Sequence, residues 1–319
     1  MAAIPDALSA AHGPSDDGTV SDRLVRKRFR NTKEVLIEWV LFSAALVSVL
    51  TTVGIIYVLV SESWHFFENV PIGDFLTDTM WTPLFSEPRY GILPLLSGTL
   101  TTSAVALLVA IPLGTTIAIW LSEFAAHRTR ETVKPFLELL GGIPTIVYGH
   151  FALVVVTPLL QWFMPELPGF NMLAAGLVMG IAIIPYVSSL AEDAMRAVPM
   201  SMREGSYGMG ATRFQTAVRV VVPAALSGIL SAYILGISRA VGETMIVAVA
   251  AGMQPNLTAN PLEPAQTISA YIVSVALGDL PHGSIGYQSI FAAGLSLMLM
   301  TLFFNILGHV IRRKYREAY

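Results

Sequence analysis

No cysteine occurs in the chain, which excludes disulfides, thiolate metal sites and cysteine nucleophiles and leaves the redox compartment open. Charge is scarce as well. Asp, Glu, Lys and Arg make up 13% of the 319 residues, where soluble globular domains carry about 25%. The net charge is −3, so composition implies no nucleic acid or other polyanionic partner. None of the four lysines, Lys27, Lys33, Lys134 and Lys314, follows a glycine, so there is no G-K-S/T phosphate loop. G-x-S-x-G and H-E-x-x-H are also absent, which removes the hydrolase elbow and the zinc-protease helix. The histidines, His12, His65, His127, His150, His282 and His309, lack metal-ligand spacing. His150 lies in an apolar run and reads as a hydrogen-bonded core residue. No metal site and no catalytic residue are expected.

Apolar residues fill the space that charge leaves. They account for 54% of the chain, with a mean hydropathy of +0.64. Crossing about 30 Å of hydrocarbon takes roughly 20 helical residues. Apolar runs of that order with few charges lie near 36–60, 92–121, 137–160, 171–190, 224–251 and 287–311. Within lipid only helices and closed barrels satisfy the backbone, and none of these runs alternates as barrel strands do. The expected fold is an all-α integral membrane protein with six transmembrane helices. Pro94, Pro112, Pro144, Pro158 and Pro185 fall inside the runs and are expected to kink helices whose neighbours satisfy the freed carbonyls.

Lys and Arg set the expected orientation. Seventeen of the 19 fall on one side if the N-terminus is cytoplasmic and six spans follow: six from Arg23 to Lys33, then Arg128, Arg130, Lys134, Arg196, Arg203, Arg213, Arg219, Arg312, Arg313, Lys314 and Arg316. Arg89 falls on the other side and Arg239 inside a span. This is the positive-inside pattern, with both termini cytoplasmic. The apolar segment 264–278 is short for a span, and a seventh crossing would invert Arg312 to Arg316. It reads as a short helix, either at the outer surface or packed partway into the helices. Residues 1–22 are rich in Ala, Ser, Asp, Gly and Pro without an aromatic residue, so a disordered tail is expected. With the basic run Arg23 to Lys33, a membrane anchor, it forms an N-terminal segment 1–33 ahead of a membrane domain 34–319. The first apolar run is too long for a signal peptide and lacks a cleavage site. Trp64, His65, Phe66, Phe67, Trp81 and Trp162 read as an interfacial aromatic belt.

Two places carry polar residues worth singling out. In the loop 192–222, Ser201 to Glu204 has the S-x-x-E form of a capping box and Thr212 to Gln215 repeats it as T-x-x-Q. Gly208 and Gly210 lie between them and permit a left-handed turn. The pattern predicts helix, Gly turn, helix, then Pro223 near the start of the fifth span. It fits an ordinary structured loop, and equally a rigid helix inserted into a partner's cleft. Within the fifth span, Arg239 and Glu243 are one turn apart, Arg239 about 22 Å from Ala224 at 1.5 Å per residue. Charges at that depth face the protein interior or a water-filled cavity. Guanidinium holds two oxygens of an oxyanion at once, which suits a substrate path. An internal salt bridge that only orders the helices is the alternative.

The stretch EGSYGMGATRFQTAVRVVVP (204–223) resembles the E-A-A, three residues, G, nine residues, I-x-L-P signature of ABC importer membrane subunits. Glu204, Gly205 and Ser206 fill the triplet, Gly210 the glycine, and Val220, Val222 and Pro223 the ending. Gly and Ser replace two alanines, and valines replace Ile and Leu. YGILPLLSGTLTTSAVALLVAIPLGTTIAIWLSE (90–123), ELLGGIPTIVYG (138–149) and SRAVGETMIVAVAAG (238–252) resemble helices of phosphate ABC transporter permeases. The R-A-x-G-E-T-M form and FLTDTMWTPLF (75–85) are most similar to the PstC type. The resemblance covers about 35–315. It implies a type I ABC importer permease fold in a bacterial or archaeal inner membrane, and passage of inorganic phosphate past Arg239 and Glu243. It further implies coupling through Glu204, Gly205, Ser206, Gly210 and Pro223 to two PstB-like ATPase subunits that bind the ATP. A second, PstA-like permease and a PstS-like phosphate-binding protein complete the implied assembly. Molybdate, sulfate or phosphonate is an alternative cargo. An ion-coupled secondary transporter is a further one, disfavoured because one acid and one base make a thin proton relay.

The topology is directly testable. A reporter that works only in the cytoplasm is expected to be active when fused after Tyr319. Activity there of a reporter that works only outside would overturn the orientation.

Overall fold

A computed structural model describes residues 17–83, 85–278, 280, 281 and 283–314. Residues 1–16, with His12, lie outside the described residues, as do His282 and Arg316. So do the side chains of the basic run from Arg23 to Lys33. The chain divides into two units, Met1–Val58 and Leu59–Tyr319. Helix α1, Asp17–Asn69, begins in the first and ends in the second. Residues 17–22, expected to be irregular, are therefore helical. No proline or glycine beyond Gly18 interrupts that stretch. From Val35 to Val58 the helix is apolar and exposed on most sides, the character of a helix meant for lipid or a membrane partner.

The second unit is organised around two long helices, α3 (Leu93–Phe124) and α6 (Met172–Arg196). On α3 a buried stripe of small side chains recurs every four residues: Gly98, Thr102, Ala106, Ala110, Gly114 and Ala118. On α6, Gly176, Gly180, Ile184, Ser188 and Glu192 follow the same interval and are also buried. A period of four keeps each stripe on one helical face, and small residues let two backbones approach. A Cβ at Gly176 would lie 2.7 Å from Val105 Cβ, and one at Gly180 would lie 2.7 Å from the Ala106 carbonyl oxygen. Gly114 meets Val187 equally closely.

Two expected spans are broken. The run 137–160 is cut at Ile143, extended at φ −68°, ψ 130°, because the following Pro144 disfavours helical backbone before it. The amphipathic helix α4, His127–Gly142, is thus separate from the span α5, Thr145–Phe163. The run 224–251 is broken twice. Helix α7, Met200–Gly208, precedes α8, Arg213–Ala224, which meets α9, Leu226–Val241, at an angle of 73°. Pro223 lacks the N–H that would continue the ladder, and a wide turn, Val222 N–H to the Ala217 carbonyl, precedes it. Helix α9 then stops at Gly242, and α10, Met245–Ala250, restarts after Thr244. Glu243 therefore lies in a gap, not one turn above Arg239. Helix α12 (Ile285–Lys314) completes the long helices. Among the described residues five helices are long and apolar enough to cross a membrane, and a sixth is added where the bent α8–α9 pair counts as one span.

Helix α11, Ile268–Ala276, settles between its two expected positions: it is packed among the helices. The Ile268 N–H donates to Thr99 Oγ1 at 3.0 Å, and a Cβ at Gly98 would lie 2.5 Å from the Gln266 carbonyl oxygen. Tyr271 hydrogen-bonds Ser289 at 2.5 Å and meets Trp81 edge to face at 4.9 Å. Trp81 is 1% exposed and Phe66 is buried, so these two are core residues and not belt residues. Their rings are enclosed by α2 (Ile72–Thr77) through Phe75 and by Tyr90. Trp64 and Trp162 are exposed. His150 is exposed on α5, against its reading as a core residue.

The α3–α6 contact leaves no space at its glycines. Gly180→Val is expected to cost about 1–3 kcal/mol through overpacking and to lower the thermal midpoint of the detergent-solubilised protein. Gly54→Ala, inside α1 with nothing within 4 Å to meet, should not lower the midpoint. Equal midpoints for Gly180→Val and wild type would refute close backbone contact there.

Candidate functional site

At one end of the second unit, α3, α6, α7 and α8 converge on a buried arginine. Pro199 is the N-cap of α7, with its backbone at φ −56°, ψ 140°, so the helix starts at Met200. The capping box expected from Ser201 and Glu204 does not form, because both already lie inside the helix. One turn in, Arg203 is 9% exposed. It donates to the Val198 carbonyl at 2.6 Å and to the Met195 carbonyl at 2.9 Å, the latter also accepting from the Val198 N–H at 3.2 Å, so it clasps the end of α6. It also makes a two-point pair with Glu123 of α3, at 2.9 and 3.3 Å. Such forked, charge-assisted pairs fix geometry as well as adding energy. Ser206 hydrogen-bonds Thr216 at 2.9 Å, joining α7 to α8.

These buried contacts present the opposite face of α7 outward. Glu204, Gly205 and Gly208 are exposed, and no atom approaches a Cβ built on Gly205 or Gly208 within 4 Å. Exposed apolar side chains flank them: Met200, Tyr207, Phe214 and, at 85% exposure, Met209. Gly210 has φ +84°, the left-handed conformation anticipated for it. The Gly210 N–H donates to the Tyr207 carbonyl at 2.9 Å and that of Ala211 to the Ser206 carbonyl at 3.2 Å. The second capping box does form, Thr212 Oγ1 accepting from the Gln215 N–H and Gln215 Oε1 from the Thr212 N–H. Pro223 is exposed beside the bend at Ala225.

The stripe on α6 ends at Glu192, which is fully buried. Lys134 of α4 donates to Glu192 Oε2 at 2.6 Å and to Asp193 at 2.7 Å. Arg130 and Arg196 approach Glu192 Oε1 at 4.0 and 3.7 Å. Burial works against the charged Lys134, but the bonds and charges of Asp193 and Glu192 outweigh it and hold its pKa above the ordinary lysine value. This network docks α4 on α6 at the same end as Arg203.

Deeper in the unit, Arg239 occupies the last turn of α9. Its guanidinium carbon stands 4.1 Å from the centroid of the Tyr186 ring, a cation–π contact. The Tyr186 hydroxyl donates to the Gly141 carbonyl at 3.0 Å, and that of Tyr148 to the Leu140 carbonyl at 2.8 Å. One aromatic ring thus connects Arg239 to the break between α4 and α5. Glu243 instead caps α10, its Oε1 accepting from the Met245 and Ile246 N–H groups at 3.1 and 3.3 Å. Among the described residues Arg239 and Glu243 do not pair, so the internal salt bridge is absent. Arg239 makes no ion pair with any described residue, and its N–H donors remain uncommitted.

The structure therefore gathers Glu204, Gly205, Ser206 and Gly210 in one substructure, with Pro223 at the bend that ends it. Arg239 and Glu243 lie on either side of a helix break. Sequence patterns alone do not single out Arg203, Glu123 or Tyr186. Reading Ser201 as a cap hides Arg203, although Pro199 is a signal for an earlier helix start. Tyr186 has only the general signal that a phenol in an apolar run needs a hydrogen-bond partner.

Comparison with known proteins agrees with this geometry. The chain is 36% identical over 293 residues to the probable ABC transporter permease protein YqgH of Bacillus subtilis, covering 91% of this chain and 94% of that one. It is 34% identical over 330 aligned positions to the phosphate transport system permease protein PstC of Mesorhizobium japonicum, covering 97% and 95%. A bacterial ABC transporter that imports the acidic polysaccharide alginate has the same fold, with TM-score 0.62 and 17% identity over 90% of this chain and 100% of that one. Residues 110–317 match the binding-protein-dependent transport system inner membrane component family, and on that match and these relatives the chain belongs to this family of multi-pass inner-membrane proteins.

Proposed function

We propose that the chain is a permease subunit of an ATP-driven importer and carries inorganic phosphate across the inner membrane. A separate ATPase subunit hydrolyses the ATP, a binding protein delivers the ion, and a second, PstA-like permease completes the path. Two PstB-like ATPases and a PstS-like binding protein are the expected partners. Both termini and the Arg203 end face the cytoplasm on this reading, as the distribution of Lys and Arg implies.

Arg239 carries the cargo reading. A half-buried guanidinium inside a span, lying over the Tyr186 ring with no carboxylate among the described residues neutralising it, is costly unless it serves an anion. Its planar fork matches two phosphate oxygens. Glu243, placed apart from the arginine, has a different role and holds the start of α10 beside Arg239. The phosphate-named relatives favour phosphate over other oxyanions. For coupling, the supporting observation is that α7 is fixed on its inner face by Arg203 and Ser206, while Glu204, Met209 and the glycines remain exposed. A helix held rigidly on one side transmits a partner's motion to α3, α6 and α8.

Two experiments test these roles. Arg239→Ala is expected to abolish phosphate uptake while the subunit still assembles, and Glu243→Gln to change rate or selectivity more gently; normal uptake by Arg239→Ala would remove the cargo reading. Gly210→Val places a β-branched residue at φ +84°, a strain on the order of 1–3 kcal/mol. Membrane insertion should survive, whereas stimulation of ATP hydrolysis by loaded binding protein in the reconstituted complex should be lost. Undiminished stimulation would reduce the loop to a linker.

A further inference from the structure

A cavity of about 510 Å³ opens beside Arg203, lined by Ser122, Glu123, Arg130, Arg196, Arg203 and Arg213, with Val198, Met200 and Tyr207 completing the wall. Its charges do not balance. Arg203 is committed to Glu123 and two carbonyls. Lys134 is committed to Glu192 and Asp193. Arg130 and Arg196 share Glu192 Oε1 at 4.0 and 3.7 Å, an oxygen that accepts no hydrogen bond among the described residues; Arg130 also contacts His127 Nδ1 through one nitrogen at 3.1 Å, and both guanidiniums keep further N–H donors free for another acceptor. Arg213, exposed at the start of α8, forms no ion pair with any described residue. Counting the lining residues together with the ion pairs behind them, the five cations Arg130, Lys134, Arg196, Arg203 and Arg213 stand against the three carboxylates Glu123, Glu192 and Asp193, a surplus of two positive charges.

We infer that this cavity is a second anion site, distinct from Arg239, that binds a phosphate group between Arg130, Arg196 and Arg213. The charge surplus matches a doubly ionised phosphate group. Forked guanidiniums are suited to its oxygens, and the volume leaves room for water around it. The site joins α4, α6, α7 and α8, so an occupied cavity ties the exposed Glu204 helix more firmly to the rest of the unit. Its cytoplasmic location rests on the orientation proposed above; its chemistry does not. Free inorganic phosphate carries both charges, whereas the phosphodiester of an anionic lipid headgroup is a monoanion that presents the same oxygens with one charge.

The test uses the complete transporter with its ATPase subunits, in nanodiscs of phosphatidylcholine alone or with phosphatidylglycerol. Hydrogen–deuterium exchange of residues 196–213 is followed while inorganic phosphate replaces chloride at constant ionic strength. Phosphate is expected to slow exchange in the phosphatidylcholine discs. Arg213→Gln and Arg196→Gln should each raise the half-saturating concentration roughly tenfold, and Arg213→Lys, which keeps charge without the fork, should fall between. If phosphatidylglycerol alone produces the same arginine-dependent protection, the phosphate group is a lipid's. Arg239→Ala should keep the response, so loss of the transport pathway and loss of this site are read separately. The inference is overturned if neither anion slows exchange or if the effect survives both Arg→Gln changes. It is also overturned if protection appears only after the ATPase subunits are removed, which would make these arginines ATPase contacts.

Discussion

Close approach of α3 and α6 is the constraint on which the second unit depends. Lipid offers no hydrophobic advantage to helix association, so packing contacts and polar pairs must supply it. The two small-residue stripes meet that demand: Gly176 and Gly180 admit Val105, Val109 and two carbonyl oxygens of α3. Because both stripes recur every four residues, contact persists from Thr102 to Gly114 and brings the ends of the two helices together. The position of Glu123 near the buried Glu192 network follows from that register. Arg203 then reaches Glu123 and the last carbonyls of α6 at once, and the loop 192–222 inherits its orientation from the helix pair.

Much of this was legible because bilayer thickness and backbone chemistry act locally. Span lengths can be read from apolar runs, and the positive φ of Gly210 and the Thr212 box from short-range rules. The misreadings have equally specific causes. Hydropathy registers composition, so it merges α4 with α5 across Pro144 and runs α9 into α10 across Gly242 to Thr244. A window average cannot register one extended residue. Trp81 and Phe66 resemble belt residues because aromatic residues near a span end have two destinations, the lipid interface and a core formed by a distant segment. Tyr271, almost 200 residues away, decides between them. Arg203 cannot be recognised without knowing that the end of α6 and the end of α3 lie side by side.

Placement of the two proposed functional features follows from breaks in helices rather than from the helices themselves. Glu243 would have been a membrane-buried acid had α9 continued. In the gap it accepts two backbone N–H groups and serves as the cap of α10, so its charge is stabilised by the free donors of a helix start. Arg239, left without that partner, lies over the face of Tyr186 with its N–H donors uncommitted. The same phenol donates to the Gly141 carbonyl, one of the groups that the end of α4 leaves open before Pro144. The proline break thus creates the acceptor that orients Tyr186, and Tyr186 orients Arg239.

This chain of contacts gives the proposed coupling a physical route. Helix α4 is held to α6 by Lys134 and Glu192 at the end where α7 is held by Arg203, and its other end bonds Tyr186. A displacement of α7 relative to α3 would strain the Arg203–Glu123 fork and, through the adjoining Glu192 network, the seat of α4. Movement of α4 would then alter the hydrogen bond at Gly141 and with it the ring on which Arg239 rests. Both connections are polar and directional, so they have few alternative arrangements that keep every donor and acceptor paired. A loose apolar contact could absorb such a displacement. A buried ion pair or a phenol bonded to a carbonyl must break or carry the motion onward, which is why the arginine at the surface helix and the arginine inside the span need not touch to be coupled.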